Sequence, residues 1–309
     1  MEDHDRTASL MTPAKLAQVK PKAAASPAAW LNQMAADAAH QHVKRIAELR
    51  NDLKEQGKDR DYSAMTSELA RVAKSLPKLD FGLLQNHGLW ARVTGKAKSA
   101  TEEFASRFSR LQEACGPLAD EIQKAQKLQQ EKAPASDLAL LELEVEYKAI
   151  EKVQDQGTRW LQDMRNQLKA REAQASDEEA RKLIRDDEVR CEILVSRLKA
   201  LREVSAAAQQ VHQHGQAAAA RRAALAQSLQ QGVSARLRNW SATVQEAVTA
   251  AQESQPFTLD AAMESHRELQ IAMKEASADC AQLHSQEKTL AESLSALRRQ
   301  LQAAQVNTA

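Results

Sequence analysis

His212 and His214 flank Gln213 in the stretch VHQHGQAAAARRAALAQSLQQGVSARLRNW, residues 211–240, and His40 and His42 repeat that spacing. Imidazole pairs are common metal ligands. On a helix, however, residues two apart point about 200° apart around the axis, while metal-holding pairs lie three or four apart. Neither pair is expected to close on one ion, and no metal ligand is assigned. The three cysteines, Cys115, Cys191 and Cys280, are far apart and lack CxxC spacing. Each falls on an apolar helical stripe, where a free thiol acts as a small buried hydrophobe and burial raises its pKa. Carboxylates are plentiful but periodic, as on solvated helix faces. There is no glycine-rich phosphate loop, no GxSxG and no HExxH. No catalytic residue and no cofactor is therefore assigned, and the chain is expected not to be an enzyme.

Arginines give a different signal. Arg221 and Arg222, then Arg236 and Arg238, lie in a segment without a single acid. Through most of the other helices acids are interspersed among the basic residues. These four are the candidate basic contact face for an anionic partner. Of the four tryptophans, Trp240 lies on an apolar stripe and is expected in the core. Trp160 sits one residue off its stripe.

Helices must position these groups. The chain has 309 residues, only 3% aromatic, and few Gly or Pro; Ala, Leu, Gln, Glu, Lys and Arg dominate. All are good helix formers, and the profile is that of long helices or coiled coils. With 43 Lys+Arg against 42 Asp+Glu, the net charge of +1 offers no global field for nucleic acid or anionic lipid. The start MEDHDRTASL lacks an apolar signal core, and no run approaches the ~20 apolar residues of a transmembrane helix. A cytoplasmic protein without a transmembrane segment or nucleic-acid partner is expected. Its partner would be a protein, a second copy of the chain included.

Residues 1–26 read as a disordered leader. Residues 27–76 hold N-terminal helices: one begins at the Ser26-Pro27 cap and runs to about Lys54, and a shorter one is stopped by Pro77. Residues 77–98, with Gly82, Gly88, Gly95, Phe81 and Trp90, form a glycine and aromatic hinge. Residues 99–305 form the body. Capping boxes at Ser99-x-x-Glu102 and Ser176-x-x-Glu179 start two of its helices, and Thr258 caps the last. Gly116-Pro117 predicts a kink near Glu113, and EKAPASD, residues 131–137, predicts a turn.

Apolar residues alternate three and four apart through these helices. The last seam runs from Leu259 to Ala304, with Glu287 its one charge. Sustained 3.5-residue periodicity means left-handed side-by-side packing. A helix continuous through Gly215 would span residues 176–250, about 110 Å at 1.5 Å per residue. Continuity is favoured, because one internal glycine costs only about 1 kcal/mol. The expected fold is all-α: an elongated antiparallel helical bundle with coiled-coil-like long helices.

Over residues 81–248 the chain resembles the TelA/KlaA toxic-anion-resistance family, helical bacterial proteins associated with tellurite resistance. Three parts carry the likeness. One is FGLLQNHGLWARVTGKAKSATEEFASRFSRLQ. The second is the paired-helix segment EYKAIEKVQDQGTRWLQDMRNQL. The third runs from LVSRLKALREVSAAAQQVHQHGQ through ARLRNW. Arg238-Asn239 stands before Trp240 where the family usually carries a proline. The resemblance implies a role in resistance to toxic oxyanions such as tellurite, or in envelope stress, without a settled mechanism; action through protein contacts is the expectation set beside it. It hands over no catalytic residues. A helical scaffold, adaptor or secretion-associated coiled coil unrelated to anions is the alternative.

Overall fold

Good helix formers and unbroken apolar stripes produce long helices. The structure, a computed structural model, describes residues 39–58, 60–85 and 96–306. The expected leader, the first part of the helix from Pro27 with Trp30, and Trp90 of the hinge lie outside the described residues. The helices are α1 (His40–Lys58), α2 (Ser63–Ser75), α3 (Lys96–Gln174), α4 (Glu178–Gln227), α5 (Ala235–Gln252) and α6 (Asp260–Val306). Two 3₁₀ turns, Leu76–Lys78 and Phe81–Leu84, follow α2. Among the described residues there is no strand, and the protein is an all-α helical bundle.

Several local signals resolve differently from their sequence reading. The expected turn at 131–137 is absent: α3 runs through both Pro117 and Pro134. Each proline removes only one backbone bond, and the flanking stripe continues in phase with buried Leu118, Ile122, Leu140 and Leu143. Ser99 lies inside α3, which begins at Lys96. At the start of α4, Asp177 rather than Ser176 is the cap, accepting from the Ala180 N–H at 2.7 Å. The last helix begins at Asp260, two residues beyond Thr258. Between α5 and α6 the predicted break is present. There Gln255 N–H reaches the Ala250 carbonyl at 2.9 Å, and Ser254 takes a left-handed φ of 58°, the geometry of a Schellman end.

Helix α4 passes through Gly215 unbroken and joins α5 through a π-helical turn, Ser228–Ser234. The apolar spacing accounts for that turn. Leu225, Leu229, Val233 and Leu237 follow one another at three intervals of four, and each interval overshoots an α-helical turn by about 40°. A wider turn takes up the excess, so that Leu225, Leu229, Val233 and Trp240 all stay buried.

The chain divides into two compact units. Among the described residues, the first comprises 39–55, 137–216 and 289–306; the second comprises 56–58, 60–85, 96–136 and 217–288. Helices α3, α4 and α6 each give residues to both. In the first unit the core is aliphatic. It includes Ile46 and Leu49 of α1, Leu143 and Ile150 of α3, Leu201, Val204 and Val211 of α4, and Leu297 of α6. Two glycines set close approaches there. A Cβ on Gly157 would lie 2.7 Å from a methyl of Leu198, and one on Gly215 would collide with Leu140. Gly215 is thus a packing residue within a continuous helix.

In the second unit the core is built on aromatics. Phe108 and Trp240 meet edge to face with centroids 5.3 Å apart, and Phe81 lies 5.3 Å from Phe104. His266 joins them, 5.2 Å from Phe81 and 6.2 Å from Trp240. Leucines of α2, α3, α4 and α6 complete the cluster. Trp240 is fully buried, as its stripe position predicts. Such ring pairs add about 0.5–1.5 kcal/mol each beyond their area burial.

Candidate functional site

The four arginines singled out by the sequence do not form one exposed face. Arg222 is buried, its guanidinium paired with Glu287 of α6. Arg221 pairs with Asp279 of α6 at 3.3 Å. Their own segment is acid-free, but α6 supplies the missing carboxylates. Arg236 is half-buried and Arg238 exposed. The one charge on the α6 seam, Glu287, is therefore one half of an ion pair in the second unit. Tyr62 lies beside that pair, with its hydroxyl pushed above its ordinary value chiefly by burial. A buried pair of this kind adds little net stability over apolar residues of similar volume, but leaves a stranded charge when one partner is removed.

The two histidines of the opening stretch turn to different helices. His212 is buried against α3, its Nε2 3.6 Å from a Glu144 oxygen and its ring 5.9 Å from that of Tyr147. His214 Nδ1 lies 2.6 Å from the Ser293 hydroxyl of α6. His42 meets Glu146 at 2.7 Å, while His40 is exposed. Among the described residues no group of three or more His, Cys, Asp or Glu side chains is placed to share a metal ion.

All three cysteines are buried. Burial pushes the Cys115 thiol up to about 11, against a smaller opposing effect of Arg71. Burial likewise raises Cys191 and Cys280. These thiols are held protonated, and a protonated thiol is a poor nucleophile.

Two surface features escaped the sequence reading. The first is an apolar stripe on α3 in the first unit. Leu138, Leu141 and Val145 are 56%, 58% and 61% exposed, at intervals of three and four, beside the buried stripe of Leu140, Leu143 and Tyr147. Both series are visible in LALLELEVEYK. Which of them faces inward is decided by the helices packed against α3.

The second feature is a groove in the second unit, of about 420 Å³. Pro77 ends α2, and the 3₁₀ turn that follows turns the chain away, leaving part of α3 uncovered. Ser75, Lys78 and Leu79 form one wall, and Arg107, Arg110, Leu111 and Ala114 of α3 the other. Arg71 ties the walls together by donating to the Ala114 carbonyl at 2.6 Å. The sequence signal was the spacing of Arg107, Arg110 and Ala114 along one flank of the Phe108–Leu111 stripe.

No family model, curated protein or solved structure matches this chain. No helix among the described residues is long and apolar enough to cross a membrane.

Proposed function

We propose that this chain is a non-enzymatic helical protein that acts through protein contacts, within toxic-anion (tellurite) resistance or envelope stress as its resemblance to the TelA/KlaA family implies. The observation that supports a contact role is the stripe Leu138, Leu141 and Val145. Its three large side chains, each more than half exposed, follow the three-four spacing of a coiled-coil seam. An amphipathic helix of a partner laid along it would cover them, and fully burying an aliphatic side chain contributes about 1.5–3 kcal/mol. The cytoplasm is the compartment this reading takes.

Deleting the gene is expected to lower survival on tellurite, and the wild-type chain to restore it. A chain with Leu138→Glu, Leu141→Glu and Val145→Glu should fail to restore it and should lose its co-purifying partner. A second copy of the chain is one such partner, and the mass of the particle in solution by light scattering reads that directly. The stripe equally supports an adaptor or secretion-associated role unrelated to anions. Unchanged survival on tellurite, with the partner still lost from the triple variant, selects that alternative.

A further inference from the structure

We infer that the groove between the end of α2 and helix α3 in the second unit is a binding site for a small amphiphilic anion: a single carboxylate, sulfonate or phosphate head on an acyl or aromatic body. The inference is independent of the contact role assigned to the α3 stripe. Three features carry it. The floor is apolar, made by Leu79, Leu111 and Ala114, with both leucines 6% exposed. The rim is cationic, made by Lys78, Arg107 and Arg110, and among the described residues no carboxylate lines the groove. Its 420 Å³ is the size of a site for one small molecule.

The rim charges are available. Lys78 and Arg110 are exposed and make no ion pair among the described residues. Arg107 is held by Glu103 one turn earlier on α3, but both side chains are about half exposed, at 46% and 51%. Water screens such a pair, so an incoming anion displaces Glu103 at little loss. Glu68 is engaged with Arg71, and that guanidinium also binds the Ala114 carbonyl. The C-terminal end of α2 brings the partial negative charge of its carbonyls, about half an elementary charge. Three full cations outweigh it. A planar guanidinium presents two parallel donors to a carboxylate or sulfonate, so Arg107 and Arg110 suit the head group better than a lysine pair would. The shape sets the other half of the specificity. A groove of about 420 Å³ with three apolar side chains in its floor suits a short acyl chain or one aromatic ring system.

The site takes a free anion and not a membrane surface, because the cations surround a concave apolar floor. A vesicle would need a flat or convex basic face.

The test uses the full chain and monomeric decanoate, below its micelle concentration, followed by calorimetry. Decanoate is expected to saturate at one molecule per chain. The double variant Arg107→Glu/Arg110→Glu should weaken it by roughly tenfold, as two exposed charge reversals would. Decyltrimethylammonium, with the same tail and a positive head, should bind the wild type at least about tenfold more weakly and gain affinity in the double variant. Lys78→Glu lies outside the α-helices and serves as the second variant should the first lose helicity by circular dichroism; it should weaken decanoate roughly threefold. No decanoate binding, binding unchanged in both variants, or equal affinity for the cationic amphiphile would each overturn the site. So would co-sedimentation with phosphatidylglycerol vesicles without binding of monomeric decanoate.

Discussion

The two units share the helices α3, α4 and α6 and fill their interiors in opposite ways. The second packs Phe81, Phe104, Phe108 and Trp240 together with His266. The first, apart from Tyr147 and the half-buried Trp160, relies on aliphatic side chains with Met164 and Cys191 among them, and has glycines at the closest approaches. Surface character divides as well. Among the described residues, Leu138, Leu141, Val145, Leu183, Val189 and Ile193 of the first unit are exposed, against Met263 and Ile271 of the second. Large rings are costly to truncate, because the surrounding helices cannot close the gap. Small residues instead bring backbones together, and adding a methyl there is what costs. One unit is thus vulnerable to loss of volume, and the other to gain of volume.

Trp240→Ala should make the largest difference, about 3–5 kcal/mol of stability, against about 2–3 kcal/mol for Leu143→Ala in the first unit. Urea midpoints measured by circular dichroism decide the matter, and an equal loss at both sites breaks the contrast.

Arg222→Ala comes next, at about 2–3 kcal/mol, because it strands Glu287. Glu287 is 22% exposed and keeps some water, which limits the loss. Replacing both by leucine should recover most of the stability, since an apolar pair can stand in for a buried ion pair. A double variant as unstable as the single one would show that the charges themselves hold the seam.

Gly215→Ala should cost about 1 kcal/mol net, as overpacking of about 1–3 kcal/mol opposes about 1 kcal/mol of helix propensity. In a Leu140→Ala background the same change should stabilise, by up to about 1 kcal/mol. If the sign does not reverse, the Leu140 contact is not the reason for the glycine.

A pH titration sharpens the contrast on the aromatic side. Burial holds His266 below its ordinary value, only partly offset by the nearby Leu76 carbonyl. Its Nε2 lies 2.9 Å from the Gln270 amide nitrogen. Below about pH 6.5 the unfolded chain takes up a proton that the folded chain resists. Stability should therefore fall as pH drops through that value, and be flat in this contribution above it. The drop should shrink in His266→Gln; a drop of unchanged size would assign it to other groups. The smallest expected effect on stability is that of charging Leu138, Leu141 and Val145, within about 0.5 kcal/mol per site.

Much of this was readable from residue spacing. The stripes named their buried members, from Phe104, Phe108 and Leu111 on α3 to Leu297 and Leu301 on α6. The buried state of the three cysteines followed from the same stripes. The divergence of His212 from His214 followed from a spacing of two. One signal was present and unused: three successive intervals of four in Leu225, Leu229, Val233 and Leu237 marked the π turn. Proline misled at 131–137, because a long helix whose flanks are well packed can carry Pro134 for the loss of one bond.

The sequence by itself determined that this protein is helical, where its core stripes run, and that its thiols are buried, because helix propensity and apolar periodicity are local properties. Only the tertiary structure decided which arginines are free. Arg221 and Arg222 stand in an acid-free segment, yet Asp279 and Glu287 reach them from a helix more than fifty residues away in sequence. Lys78, Arg107 and Arg110, ordinary surface cations in the sequence, converge on one groove because a proline turns the chain there. Charge acts through space, so its partners are set by the fold and not by neighbours along the chain.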